Sequence, residues 1–257
     1  MPEDELTGDD AGAADPSGDA AADPGAVLAA LREGEVEVLG RMPWSSNATL
    51  LVEVHHGPSC VRAVYKPRRG ERPLWDFPPG LDRREVAAYE LSAWLGWDLV
   101  PETVRRDDAG LPFGPGSLQR FVPFDVGAHY FTLLEDAARH AALRAICCLD
   151  LLINSADRKG GHCLLGDDGR IWAVDNGLTF HCETKLRTVI WDFAGDPIDE
   201  PLLRGVRRLA EDAGPEALGE LLDASERTAL AARAEAVARA GRFPHDHTGR
   251  RHPWPLV

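Results

Sequence analysis

The sequence of 257 residues lacks any long apolar run and any paired cysteine motif. No stretch approaches the roughly eighteen consecutive apolar residues that a membrane-spanning helix requires. The N-terminus, MPEDELTGDD, is acidic and carries no apolar segment, so no secretory signal is predicted. The five cysteines are odd in number and form no CxxC pair, which argues against a disulfide framework and a structural zinc site. We therefore expect a soluble, cytoplasmic protein.

Basic residues are also scarce, with 28 against 42 acidic residues and a net charge of −14. Proteins that bind DNA or RNA usually carry a basic surface, so nucleic acid is not an expected partner. Only three of the basic residues are lysines, namely Lys66, Lys159 and Lys185. Lysine and arginine are not physically equivalent, so each of these lysines is a candidate for a specific role.

The first 25 residues differ in composition from the rest of the chain. They contain eight acidic residues and no lysine or arginine, they are rich in Ala, Gly and Pro, and they lack aromatic residues. Such a segment cannot bury enough apolar surface to offset its chain entropy. We interpret residues 1–25 as a disordered acidic tail and look for function after it.

The hydrophobic pattern then predicts a β-rich half followed by an α-rich half. Five strands are predicted in the first half, over residues 35–42, 47–56, 59–67, 99–106 and 116–123. Helices are predicted over 26–33, 82–96 and 134–153, and two or three more within 199–240. A short β-hairpin with a GDDG turn precedes the last helices. The fold class is therefore α+β, with a β-rich lobe at 26–123 and an α-rich lobe at 124–257.

Two aspartates flank the predicted hairpin. Asp157 follows a long apolar helix and lies in a loop with Lys159 and two glycines, whereas Asp175 ends the strand IWAVD, eighteen residues later. A tight hairpin returns the chain close to where it left, so both carboxylates should face one space. Phosphoryl transfer needs such a pair, because one carboxylate can deprotonate the acceptor hydroxyl while the other holds Mg²⁺ against the phosphates.

The sequence resembles the protein-kinase-like superfamily over roughly residues 36–180. Asp157, Lys159 and His162 match the spacing of its catalytic loop, and Asp175-Asn176-Gly177 is similar to the metal-binding element of type II phosphatidylinositol 4-kinases and some secretory-pathway kinases. The run from Glu85 to Pro101 resembles the helix whose glutamate pairs with the nucleotide-binding lysine. AVYKP supplies that lysine. The overall pattern is most similar to an actinobacterial family related to phosphatidylinositol 3-/4-kinases.

This resemblance implies roles for individual residues. Lys66 would bridge the α- and β-phosphates of ATP and pair with Glu85, or alternatively with Glu90. Asp157 would be the catalytic base, and Lys159 would neutralise charge on the γ-phosphate.

The resemblance also implies the metal ligands and the nucleotide-binding loops. Asp175 would be the principal ligand of Mg²⁺ or Mn²⁺, and His162 the second ligand, where asparagine is usual. An imidazole suits Mg²⁺ less well than an oxygen ligand does. The remaining contacts to the phosphates and to adenine would come from Ser45, Ser46, Asn47 and the backbone of Arg120, Phe121 and Val122.

Each of these residues also has an ordinary alternative. Asp157 alone is most often a loop aspartate in a turn, and an AVDNG segment alone is most often a strand entering a hairpin turn. Their joint occurrence in the right order favours the kinase hypothesis. The pair His55-His56 is interpreted as a strand end, the histidines within 245–252 as part of an irregular tail, and Trp75 and Phe77 as a cover for the sheet or a substrate lid.

The leading functional hypothesis is an ATP-dependent phosphotransferase acting on a hydroxyl of a protein or a small polar molecule, as in HipA-type kinases. No stable membrane association is expected, because docking of an acidic surface on anionic lipid is electrostatically unfavourable. Three alternatives stay open: a nucleotide-binding pseudokinase, a phosphatidylinositol kinase, and a transferase that moves AMP instead of phosphate.

Overall fold

The computed structural model describes residues 23–42, 48–108, 110–249 and 251–257. Residues 1–22 of the predicted acidic tail lie outside the described residues. The turn that contains Ser45, Ser46 and Asn47 also lies outside them.

The first half of the chain builds a five-stranded antiparallel sheet. Helix α1 (Pro24–Glu33) precedes the sheet, and helix α2 (Leu81–Trp94) connects the third strand to the fourth. The strands are β1 (Glu35–Arg41), β2 (Leu50–His56), β3 (Ser59–Pro67), β4 (Thr103–Arg106) and β5 (Gly116–Arg120). Their spatial order is β1-β2-β3-β5-β4, so β3 and β5 pair in the interior of the sheet.

The alternation of side chains in β3 gives the sheet two different faces. Val61, Ala63 and Tyr65 are buried in a cluster with Val27 and Leu31 of α1. Because successive residues of a strand point to opposite faces, Lys66 lies on the face that α1 does not cover. This places the lysine toward the second half of the chain.

Helix α2 begins and ends at glycines with positive φ. Gly80 precedes it at φ +93°, and Gly96 follows it at φ +69°, as predicted for the C-terminal end. The predicted N-cap, Asp82, is instead inside the first turn, where its buried carboxylate accepts hydrogen bonds from Arg68 and Arg105. These two arginines attach the helix to the sheet.

The second half is mainly helical. Its elements are α3 (Tyr130–Leu134), α4 (His140–Ile153), β6 (Cys163–Leu165), β7 (Ile171–Ala173), α5 (Glu200–Asp212), α6 (Leu218–Leu221) and α7 (Ala224–Ala240). The predicted boundary after residue 123 falls in the connection between β5 and α3. Within the part of the chain that the structure covers, no helix is both long enough and apolar enough to span a bilayer.

Two predicted elements are shorter than expected. The strand predicted over 99–106 begins only at Thr103, since Pro101 cannot donate a ladder hydrogen bond. The helix predicted over 134–153 is divided, because Asp136 has extended backbone angles and its side chain accepts from the backbone amide of Ala138. Helix α4 then starts afresh at His140.

Helix α2 contacts β4 and β5 of the sheet and contributes to the apolar core of the second half. Its Leu91 packs in the large apolar cluster that contains Leu143 and Ile146 of α4. On another side of α2, the buried Arg84 guanidinium forms an ion pair with the buried carboxylate of Glu226 in the first turn of α7. Glu226 also accepts from the backbone amide of Asp223, which completes a capping box.

Removal of one partner of this buried pair should destabilise the protein strongly. Glu226→Ala leaves the Arg84 guanidinium buried without a counter-charge, so we expect the free energy of unfolding to fall by about 3–5 kcal/mol. Glu235→Ala on the exposed side of α7 is the matched control and should change it by less than about 0.5 kcal/mol. Urea denaturation measures both, and equal midpoints for the two variants would contradict this role.

Candidate active site

The ammonium group of Lys66 joins three parts of the chain. It forms an ion pair with Glu85 of α2, and its Nζ lies 2.9 Å from Oδ1 of Asp175, after β7. The partner on α2 is therefore Glu85, and not the alternative Glu90. The Glu85 carboxylate is almost fully buried, whereas the side chain of Asp175 is 55% exposed. The cluster thus presents one carboxylate to solvent and keeps the other inside.

Glu85 also fixes the backbone of the Asp-Asn-Gly segment. Its Oε2 atom accepts from the backbone amide of Asn176 at 3.0 Å. Gly177 lies so close that an added Cβ would be 3.3 Å from Oε1 of Glu85 and 3.3 Å from Cβ of Leu81. A larger residue at position 177 would press against α2, which explains the glycine.

The charges of this cluster stabilise one another. Burial opposes the charge on Lys66, but the Asp175 and Glu85 carboxylates outweigh that cost and raise the pKa of the lysine. The Lys66 ammonium in turn holds the pKa of Asp175 well below its usual range. Asp175 also has a left-handed backbone, with φ +57°. Because a non-glycine residue rarely adopts this conformation, its presence in a cluster with the charged groups of Lys66 and Glu85 is typical of a functional site.

Asp157 and Lys159 form an ion pair in the loop that follows α4. Nζ of Lys159 is 3.0 Å from Oδ2 of Asp157, whose side chain is 27% exposed. Burial raises the pKa of Asp157, Lys159 opposes that effect, and the charge of Asp175 adds to it. The predicted convergence of the two aspartates on one space stays a prediction, and the influence of the Asp175 charge on Asp157 agrees with it.

His162 contacts both the loop that carries Asp157 and the side chain of Asp175. Its Nδ1 atom accepts from the backbone amide of Lys159 at 3.3 Å, and its Nε2 atom lies 3.5 Å from Oδ2 of Asp175. Burial lowers the pKa of His162 to about 4, so the ring is neutral at pH 7. A neutral imidazole that accepts at Nδ1 carries its proton on Nε2, and that proton faces the Asp175 carboxylate.

A buried arginine, which sequence reasoning missed, holds the two loops together. The guanidinium of Arg158 binds Asp150 of α4 at 2.9–3.2 Å, the carbonyl of Val174 at 2.7 Å and Oδ1 of Asn176 at 2.6 Å. Thr188 donates a further hydrogen bond to Asp150. The signal in the sequence that could have indicated a buried ion pair here was Asp150, the only charged residue in the apolar run ICCLDLLI.

The predicted adenine-binding backbone follows β5, at the edge of the same site. The amides of Arg120 and Phe121 donate to the carbonyls of Glu102 and Arg62, at 2.8 Å each. These two amides are therefore engaged within the sheet, and Val122 is the next amide along the chain.

An apolar pair, Leu51 and Val64, was also missed by sequence reasoning. The two residues are opposite each other on β2 and β3, and Val64 lies two residues from Lys66 on the same face. Both are partly buried. The alternating pattern of β3 was the signal that could have identified them.

The C-terminal segment, predicted to be an irregular tail, is irregular but docked on the loop that carries Asp157. The carbonyl of Leu256 accepts from the amide of Gly160 at 2.7 Å, and that of Arg251 accepts from the amide of Thr188 at 3.0 Å. An added Cβ at Gly160 would be 3.2 Å from the ring of Phe131 and 3.3 Å from the Leu256 carbonyl. The glycine therefore permits this close approach.

The connector before α2 places its two aromatic residues differently. Phe77 is buried against Arg84 and His181, whereas Trp75 is 96% exposed. The expectation that Trp75 covers the sheet is therefore wrong, and a lid over the substrate stays a prediction. A groove of about 460 Å³ lies beside Trp75, lined by Asp76, Phe77, Pro78, His181, Glu183 and Lys185.

Comparison with solved structures identifies the fold. The chain is similar to the structure of hydra Fam20 with sugar, with a TM-score of 0.52 and 15% identity, over 86% of this chain and 92% of that one. Another similar structure is the Helicobacter pylori proinflammatory kinase CtkA, with a TM-score of 0.48 and 9% identity, over 82% and 94%. The likeness to hydra Fam20 confirms the predicted bilobal protein-kinase-like fold.

Comparison of sequences identifies the family. No family model matches the chain. The chain is 42% identical over 264 residues to protein Rv2133c of Mycobacterium tuberculosis, and the match covers 88% of this chain and 94% of that protein. At this identity and coverage, the chain belongs to the same family as protein Rv2133c.

Proposed function

We propose that the protein is an ATP-dependent phosphotransferase that moves the γ-phosphate to a hydroxyl of a protein or a small polar acceptor. The observation that carries this proposal is the Lys66 ammonium between the carboxylates of Glu85 and Asp175. The kinase-like fold and the nearby pair of Asp157 and Lys159 support the same reaction. The placement of the protein in a phosphatidylinositol-kinase or HipA-like branch is part of this hypothesis.

ATP would lie beneath the β1–β3 side of the sheet. Lys66 would offset charge on its α- and β-phosphates, because its ammonium is partly buried and aligned by two carboxylates. Leu51 and Val64 would cover one face of adenine, and the Val122 amide is the proposed hydrogen-bond donor to the base. Ser45, Ser46 and Asn47 keep their proposed role over the phosphates, outside the described residues.

The donor set fits a divalent metal that prefers oxygen ligands. Asp175 offers a half-exposed carboxylate and is the proposed principal ligand, with Mg²⁺ or Mn²⁺ as the ion. Such an ion, when bound, neutralises charge on the transferred phosphate. His162 directs its Nε2 proton toward Asp175, so we propose that it orients this carboxylate. Its predicted role as a second ligand would require the proton to move to Nδ1, where the Lys159 amide already donates.

Asp157 is the proposed base. Its carboxylate can accept the proton of the acceptor hydroxyl as the phosphoryl group is transferred, and its raised pKa makes it a better base than an ordinary aspartate. Lys159 would then contact the transferred phosphate, since its ammonium already lies 3.0 Å from the base.

The acceptor is proposed to be a water-soluble molecule instead of a lipid. The groove beside Trp75 has Lys185 as a cation, but Asp76 and Glu183 line it as well. The chain as a whole carries a net charge of −14. Both features disfavour an anionic membrane surface.

A pseudokinase that binds the nucleotide without turnover is a second candidate. The observation in its favour is His162 at the position of the usual second metal ligand, with its Nε2 proton toward Asp175. Loss of the γ-phosphate from ATP, or autophosphorylation detected by mass spectrometry, would exclude this candidate. The added mass also separates transfer of phosphate from transfer of AMP.

Substitution of the proposed base should abolish turnover without loss of ATP binding. Asp157→Asn keeps the size of the side chain but cannot accept the proton, so we expect phosphate transfer to fall by about 10²- to 10⁴-fold. Phosphate release and autophosphorylation measure this loss. Asp167→Asn, an exposed aspartate in the hairpin turn, is the matched control and should retain activity. Equal activity in both variants would contradict the role of Asp157.

Substitution of the cluster lysine should remove nucleotide binding. ATP and Mg²⁺ at a hundred times the dissociation constant should stabilise the wild-type protein by about 2.7 kcal/mol, seen as a rise in Tm. Lys66→Met should lose this rise, whereas Lys185→Met should keep it. If Lys66→Met is stabilised by ATP as much as the wild type, the proposed site is wrong.

A further inference from the structure

A second cluster of potential ligands lies on the same face of the sheet as Lys66, toward the opposite end of β3. Residues 60, 62, 64 and 66 alternate onto this face. Cys60 is directly opposite His55 of β2, and Glu53 of β2 is directly opposite Glu37 of β1. The register of three strands therefore brings a thiol, an imidazole and two carboxylates to one patch.

The distances within this patch are slightly longer than those between the ligands of one metal ion. Nε2 of His55 lies 3.6 Å from Oε2 of Glu37 and 3.9 Å from Oε2 of Glu53. One donor atom each from Glu53, His55 and Cys60 lies within 4.8 Å of the others. A tetrahedral ion with bonds of about 2.0–2.3 Å needs ligand atoms about 3.3–3.8 Å apart, so small side-chain rotations would suffice.

We propose that Glu37, Glu53, His55 and Cys60 bind one zinc ion. A thiolate beside an imidazole favours zinc over Mg²⁺ or Ca²⁺, which prefer oxygen ligands alone. Nε of Arg62 lies 3.3 Å from Oε1 of Glu53, and this ion pair leaves Oε2 directed toward His55. An outer contact of this kind orients a metal-binding carboxylate.

The backbone holds these donors in place without the ion. Three of them lie on β2 and β3, which a two-residue connection, Gly57-Pro58, joins in a fixed register. Gly57 has φ +57°, a conformation that glycine adopts at little cost. The bound ion would link β1, β2 and β3 and so stabilise this end of the sheet. The site is distinct from the nucleotide site, because Cys60 is six residues, or roughly 20 Å, from Lys66 along the strand.

Titration of the full-length protein with Co²⁺, followed by displacement with Zn²⁺, tests this proposal. Cobalt bound to a thiolate gives a near-ultraviolet charge-transfer absorption, so the signal reports on cysteine coordination alone. We expect one equivalent of Co²⁺ to produce this absorption and Zn²⁺ to abolish it. His55→Ala and Cys60→Ser should lower the affinity for Zn²⁺ by about tenfold or more. Zinc should raise the Tm of the wild type but not of Cys60→Ser.

Two neighbouring substitutions are the controls. His56→Ala removes the histidine on the other face of β2, and Cys182→Ser removes the other exposed cysteine. Both variants should keep the absorption and the zinc affinity, as should Asp175→Asn in the nucleotide site. The proposal is overturned if the wild type gives no thiolate absorption, if Cys60→Ser keeps it, if His55→Ala binds Zn²⁺ as tightly as the wild type, or if Cys182→Ser loses it. Circular dichroism checks that each variant is folded.

Discussion

The ion cluster of Lys66 with Glu85 and Asp175 is the constraint on which the rest of the site depends. An ammonium that is partly withdrawn from water is costly unless opposite charges surround it, so the sheet, α2 and the loop after β7 meet at this point. Glu85 extends the constraint to the backbone of Asn176. Asp175 is thereby held with one oxygen on the lysine and the other toward His162 and solvent.

A second set of buried contacts fixes the proposed base relative to this cluster. Arg158 follows Asp157 directly in the chain, and its guanidinium binds Asp150 as well as Asn176. The two loops that carry the aspartates are therefore attached to one rigid helix, α4. The C-terminal segment adds a further support through the Leu256 carbonyl on Gly160. Placement of reacting groups by such buried networks is what phosphoryl transfer requires, because catalysis there depends mainly on position and charge.

The sequence was sufficient for the parts of the site that follow from chain order and strand alternation. Lys66 before a proline, Glu85 in the next helix and Asp175 at the end of a hairpin strand specify the cluster, and the protein-kinase-like fold that the resemblance implied is confirmed. The partners of Arg158 and the docking of the C-terminal segment could not be predicted, because they join residues distant in sequence. The patch of Glu53, His55 and Cys60 could not be predicted for a similar reason. Only the strand register brings the three residues together, so no spacing motif marks them.

The most direct test of the central claim is a crystal structure of the protein with a non-hydrolysable ATP analogue and Mn²⁺, with the metal located by its anomalous scattering. The account predicts the ion at the Asp175 carboxylate, the phosphates against Lys66 and adenine beneath Leu51 and Val64. An ion or triphosphate bound elsewhere, with Lys66 still closed on Glu85 and Asp175 and no room for phosphate, would contradict it.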